Sequence, residues 1–358
     1  MSKFLNLPYA EQFDVMNSLL ASIASNKEGG IDIESWKDLQ RIVRIGLHKT
    51  FFKVGDVLRI TYNGAEQLVD VIGIDHDVPA DKNFKHSLTI QTRDCLGNMQ
   101  FSAPQALYKA KSSPLLPGTY NINVDDKKYQ FTITTEVPVG GVITFPWAYN
   151  TDILTTKPGI YESQTSTTPI ETVSISEGSA GMELTEINDI NRCRYGSNNY
   201  VESAIRQWLN SDEVEFIWEP QTDFDRPPTS SAYGSGFLHK LDPDLVAVIG
   251  KVEKRVARNT VTDEGGQDVF EDKVFLLSRV EVGGGSEGTT TGEEVYPFYD
   301  GVDDAGRIKL LDNSPRYWWL RSPSPGFAYI VRTVRASGAV SYNHVYDALG
   351  LSPACAII

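Results

Sequence analysis

The sequence predicts an α+β fold: a short helical N-terminal segment, a β-rich middle and a C-terminal domain of short strands around one helix. Three observations carry that expectation. Apolar residues recur at three- and four-residue steps before residue 50. From Phe51 the period changes to two, with β-branched residues dominating. After residue 199 one helical pattern appears, followed by short runs punctuated by Pro and Gly.

In the first segment, Phe13, Met16, Leu20 and Ile23 fall on one helix face until Lys27, Gly29 and Gly30 interrupt them. Asp32 is placed to cap a second helix carrying Trp36, Leu39 and Val43, with Gly46 suited to its end. Two such short stripes cannot bury themselves. Residues 1–50 are therefore read as an attachment or oligomerisation segment, with a helical lid on the domain as the plainer alternative. Residues 51–150 read as a β-rich domain. VLRITYNG leads through the turn pair Asn63-Gly64 to LVDVIGID; HSLTIQTRD, YNINVDDKKYQFTIT (tip at Asp125 and Asp126) and PVGGVITFPW follow. Residues 151–190 read as extended or looped. In 151–358 the secure helix is NNYVESAIRQWLN, where Asn199 and Glu202 have capping-box spacing and Val201, Ile205, Trp208 and Leu209 share a face. DKVFLLSRVEV reads as a buried strand, and residues 283–294 as a flexible polar loop.

Composition narrows the function. The 358 residues carry a formal net charge of -14, which opposes a nucleic-acid partner or docking on anionic lipid, since both need clustered Lys and Arg. Cys95, Cys193 and Cys355 lie too far apart for a metal set or a disulfide framework and read as small buried thiols. His48, His76, His86, His239 and His344 are equally scattered and read as surface imidazoles. No run of about 20 apolar residues is present, so no membrane insertion is expected. The N-terminal residues show no signal-peptide pattern, which implies synthesis in a host cytoplasm. No phosphate-binding glycine loop, H-E-x-x-H, G-x-S-x-G or Cys-His signature occurs, and Asp303-Asp304 reads as a solvated acidic pair. The expectation is no enzyme, no cofactor and no metal.

Tyr317, Trp318 and Trp319 are the densest aromatic cluster. On a strand Trp318 and Trp319 face opposite ways and can anchor two packing layers, with Arg321 satisfying buried carbonyls. The segment 321–358 contains no Lys, Glu, Gln, Met or Trp. Those are the amino acids that codons ending in a pyrimidine cannot encode, as expected of a stretch rewritten from repeated Asn codons with randomised adenines. A β-rich tail that merely prefers Ser, Tyr, Val and Ala is the plain alternative.

YWWLRSP, the period-two run with SGAV, and the closing SPACAI resemble the variable region of target proteins of diversity-generating retroelements. NNYVESAIRQWLN, RPP and DKVFLLS, with the N-terminal YAEQFDVMNSLLASIA and SWKDLQRIVRIG, are similar to members carried by phages of gut bacteria. The resemblance covers nearly the whole chain and is weakest over 150–190. It implies a C-type-lectin-like fold for 151–358, preceded by or carrying the β-rich domain, with a variable region at about 321–358. It also implies a ligand-binding protein on the phage virion, and a homo-oligomer such as a trimer, beside other phage structural proteins. The partner would be a bacterial cell-surface or mucosal ligand, protein or glycan.

Carried onto this chain, the variable face is drawn from Phe327, Tyr329, Ile330, Arg332, Thr333, Arg335, Tyr342, Asn343, His344, Tyr346, Asp347 and Leu349. The scaffold is Trp208, Trp318, Trp319, Leu320, Arg321, Ser322, Gly338 and Pro353. The calcium-binding Glu-Pro-Asn and Trp-Asn-Asp motifs of animal C-type lectins are missing, as is the cysteine pair of the sulfatase-modifying enzymes, so neither chemistry is implied. Two alternatives stand beside receptor binding: a non-variable capsid-decoration or tail-fibre module, and an enzyme on surface polysaccharide, which would need paired pocket carboxylates.

Overall fold

The structure is a computed structural model. It describes residues 30–102, 197–212, 235–261, 263–286 and 290–358, together with pieces between 14 and 21 and shorter stretches between 106 and 186. Strands dominate and helices are few. The chain enters through α1 (Trp36–Arg44) and α2 (His48–Phe51), then β1 (Val57–Tyr62), β2 (Ala65–Ile74), β3 (Leu88–Thr92) and β4 (Asn98–Met99). A middle set comprises β5 (Ala106–Ala110), β6 (Gly118–Val124), β7 (Lys127–Ile133), β8 (Val142–Phe145), β9 (Ile160–Tyr161), β10 (Pro169–Ile170), β11 (Val173–Ser176) and β12 (Leu184–Glu186). Next come α3 (Ala204–Leu209), α4 (Pro243–Val246), β13 (Ile249–Gly250), β14 (Val252–Ala257), β15 (Gln267–Asp272) and β16 (Val274–Phe275). The last strands are β17 (Lys309–Leu311), β18 (Ser314–Arg316), β19 (Trp318–Pro323), β20 (Ile330–Val334), β21 (Val340–His344), β22 (Leu349–Gly350) and β23 (Ala354–Ile357).

Two sheets organise the described core. One runs β1-β2-β3-β23-β13, with β16 also on β23; the other runs β21-β20-β19-β22-β4. Asn63 and Gly64 both take positive φ (51° and 74°) between β1 and β2, the left-handed pair that a two-residue turn of right-twisted strands requires. β23 sits inside the first sheet, and its fully buried ACAI is the near-continuous apolar run expected of a strand covered on both faces.

That placement corrects the expected domain division. Strands from 57–92 and from 354–357 share one hydrogen-bonded sheet, so residue 150 does not separate two cores. Nor is the described part of the N-terminal segment a free attachment arm. Trp36, Leu39, Ile42 and Val43 of α1 lie in the same core as Trp208 and Trp319. Residues 1–13 and the apolar stripe up to Ile23, apart from 14–17, 20 and 21, lie outside the described residues.

Local signals shifted by a few residues for identifiable reasons. Ser35, not Asp32, caps α1 through Asp38 N–H (3.2 Å), because Ile31 is drawn into a parallel bridge with Leu58 and keeps the chain extended. Ser203 rather than Asn199 caps α3, and Asn199 Oδ1 instead accepts from Val201 N–H (3.0 Å) in a local turn. The strand expected over DKVFLLSRVEV is only Val274–Phe275; Leu276 and Leu277 stay buried, but their carbonyls serve Arg321. His48 is wholly enclosed, not a surface imidazole. Cys95 and Cys355 are buried thiols as the sequence suggests, and Cys193 lies outside the described residues. No described helix is long and apolar enough to cross a membrane.

Candidate functional site

β19 is buried along its whole length. Its alternation sends Trp318 into one apolar cluster and Trp319 into the other, and each indole finds an acceptor: Arg307 O for Trp318 (3.1 Å) and Met99 O for Trp319 (2.7 Å). Arg321 follows with no exposed side-chain surface. Its guanidinium donates to Arg255 O (2.9 Å), Leu276 O (2.8 Å), both oxygens of Glu281 (2.6 and 2.9 Å) and Glu293 (2.7 Å). Lys254 extends the network, donating to Glu281 (3.0 Å), Tyr296 (2.7 Å) and Asp77. Burial alone would raise the Glu281 pKa, but Arg321 and Lys254 outweigh it and bring the carboxyl to about 2. For Glu293 burial prevails over the pull of Arg321, with Glu281 repelling, and the pKa is raised. The loop expected to be flexible at 283–294 is therefore tied down where Glu293 docks; residues 287–289 lie outside the described residues.

The β20–β21 hairpin hangs on this frame. Gly338 closes it with φ +86°, and a Cβ there would lie 1.5 Å from Asp304 O. At the far end the rings of Tyr329, His344 and Tyr346 stack: centroids are 5.7 Å apart at 17° and 5.0 Å apart at 5°. Phe327 meets Tyr329 edge-on at 6.2 Å, and the Arg332 guanidinium lies 6.0 Å from the Tyr342 ring. Phe327 is 48% exposed and Tyr342 58%. His344 is exposed between the half-buried Tyr329 and Tyr346, with Arg332 beside the exposed Tyr342.

Period two divides the expected face. Ile330↔His344 and Arg332↔Tyr342 pair across the strands and share one side; Val331↔Asn343 and Thr333↔Ser341 share the other. On that second side Thr333 Oγ1 lies 3.0 Å from Asn343 Oδ1, Arg335 donates to Ser341 Oγ (2.9 Å), and Asp347 accepts from His344 N–H (3.2 Å). Ile330 and Thr333 are buried, so the expectation that they are displayed is corrected: β20 is an inner strand, between β21 and β19. Leu349 is half-buried against the core, in β22, and belongs with the scaffold. Phe327, Arg335, Tyr342 and His344 are exposed; Tyr329, Arg332, Asn343, Tyr346 and Asp347 are half-buried.

A family model described as a domain of unknown function, DUF6273, matches residues 169–358. The chain belongs to the DUF6273 family. Comparison with curated proteins and with solved structures gives no match. The DUF6273 region contains β19–β23, α3, the Arg321 network apart from Asp77, and the aromatic ladder. Its sheet is completed from outside, because β23 pairs with β3.

Two further positions in the DUF6273 region shape the face. Asn198, fully buried, donates to Phe327 O (2.6 Å) and Ile330 O (2.9 Å), while its N–H donates to Ala328 O (2.8 Å). Asn259 donates to Asn198 Oδ1 (2.8 Å). The carbonyls of the loop are thus held by a buried side chain and backbone from outside it. The sequence marks Asn198 only as part of a polar triplet before a helix. Lys254 was legible in principle, as the inward member of the alternation Val252-Lys254-Val256. Near Lys254 and Arg321 a cleft of about 230 Å³ opens, lined by Asp77, Glu253, Glu281, Glu293 and Glu294 among others. The donors of both cations are directed at protein acceptors, and no group of His, Cys, Asp and Glu among the described residues is arranged to hold a metal.

Proposed function

We propose that this is a ligand-binding protein of a phage virion, displaying a C-type-lectin-like face whose side chains are diversified. The observation that carries the reading is the half-open ladder Phe327–Tyr329–His344–Tyr346 beside exposed Tyr342, mounted on a hairpin whose backbone is held by buried groups. Large rings bring contact area at small entropic cost, and Asn343, His344 and Asp347 add adaptable polar contacts. One such face binds modestly; repetition on a particle raises avidity by about 10²–10⁴, which is the physical reason for expecting an oligomer. The missing Lys, Glu, Gln, Met and Trp after residue 320 fit a rewritten segment. Sequencing sister clones and neighbouring DNA tests it. Differences confined to 327–349, with a template repeat and a reverse transcriptase nearby, are expected; an invariant segment without either removes the diversification.

A fixed structural module is the second reading. It is favoured by the burial of Ile330 and Thr333 and by the internal bonds of Asn343 and Asp347, which commit part of the segment to the fold. Tyr342→Ala with Tyr346→Ala separates the two: normal particles that fail to adsorb support binding, and failed assembly supports the structural module.

A further inference from the structure

We propose that His48, Asp75 and His86 form a proton-operated latch that holds α2, and through it the end of α1, on the first sheet at neutral pH and loosens both in mild acid. The geometry is independent of the display face. Asp75 stands just beyond β2 in a left-handed conformation (φ 54°), with Ser87 N–H 3.2 Å from its carboxylate. That one carboxylate serves three basic groups: His86 Nδ1 at 3.0 and 3.1 Å, Lys49 Nζ at 2.8 Å and His48 Nε2 at 3.2 Å. The His48 contact is electrostatic in kind, since neither ring nitrogen makes an aligned hydrogen bond. The two imidazoles sit edge to face at 5.8 Å. His86 fits only because residue 46 is glycine; a Cβ there would lie 2.8 Å from its Nε2. One turn earlier Arg44 stacks over Phe84 (4.3 Å) and faces Asp81, so α1 and α2 meet the 75–87 loop along a shared seam.

Lys49 already claims part of the Asp75 charge. A proton on His48 would therefore place a second cation in an enclosed site, with His86 close by. Burial drives the His48 pKa below its ordinary value; Asp75 pulls it back, and His86 and Lys49 push it further down. In the detached segment His48 regains an ordinary value of about 6.5. Since the folded pKa is the lower, the open form binds more protons, and docking is full above about pH 6.5 and weakens as pH falls below it. Asp75 works in the same direction at lower pH. Burial raises its pKa, but Lys49, His86 and the Ser87 N–H bring it below the usual value, so it stays ionised while His48 gains its proton.

Hydrogen exchange by mass spectrometry on the full chain at about pH 7.5 and about pH 5, corrected for intrinsic rates, tests the latch. Exchange over 36–52 should rise about tenfold in acid, while 252–272 in β14–β15 changes less than about twofold. His48→Phe, a ring without a titrating nitrogen, should abolish that difference, and His48→Gln serves where the Phe variant does not fold. A rise shared equally by 252–272, no rise at all, or an unchanged difference in the folded His48 variant would overturn the proposal.

Discussion

Every residue of β19 from Trp318 to Pro323 is buried, whereas in β21, two strands away in the same sheet, Tyr342 and His344 are exposed and only Ser341 is buried. Both strands belong to one hydrogen-bonded ladder, so backbone pairing does not explain the contrast. The side-chain partners do. β19 is sandwiched between two apolar clusters and carries an arginine with five directed hydrogen bonds, while the outer end of β21 touches mainly rings of its own hairpin. Buried scaffold and exposed side chains are thus allotted to different strands. A surface can change composition cheaply when the groups that determine the fold lie elsewhere.

The contrast can be broken from the scaffold side first. Gly338→Ala should have the largest effect, above about 4 kcal/mol by urea unfolding, because the residue needs positive φ and its new methyl would overlap Asp304 O. Arg321→Ala leaves Glu293 buried without its cation and Glu281 with Lys254 alone, and should cost about 3–5 kcal/mol in the same measurement. Trp319→Ala should fall in a similar range, about 3–5 kcal/mol, through the cavity it leaves, readable as a lowered Tm.

Acid sharpens the comparison. Glu281 titrates near 2 in the folded chain and near its ordinary value when unfolded, so its stabilisation is complete above about pH 4.5 and is lost as pH falls toward 2. Glu293, with its raised pKa, acts in the opposite sense: folding gains as it takes up a proton above that range. The steep loss should therefore lie below about pH 4.5, and Glu281→Gln should flatten it in a pH series of unfolding midpoints. The smallest effect belongs to the exposed strand: Tyr342→Ala should move stability by no more than about 0.5 kcal/mol. A larger loss would mean that β21 carries the fold after all.

The sequence announced the elements whose physics is local. Asn63-Gly64, with both φ values positive, turned out to join β1 and β2; alternation at Trp318 and Trp319 sends them into separate clusters; the 204–209 helix buries Ile205, Trp208 and Leu209. Arg321 satisfies buried carbonyls, and also two carboxylates from positions 281 and 293 that nothing in their neighbourhood marks as special. Asn198 is not marked by its neighbours in sequence, because its targets, Phe327 O and Ile330 O, lie far along the chain. The burial of His48 is not legible from helix position alone, since the 75–87 loop that packs on it is distant in sequence.

By itself, then, the sequence determined strand and helix periods, the turn pair, the two-sided aromatic anchor and the net acidic charge. The tertiary structure alone decided that β23 inserts beside β3, that Ile330 and Thr333 are buried while Tyr342 is exposed, and that Asp75 gathers two histidines. Periodicity and capping are set by neighbours within a few residues, whereas register, burial and ion pairing are set by whichever distant segment arrives across the gap.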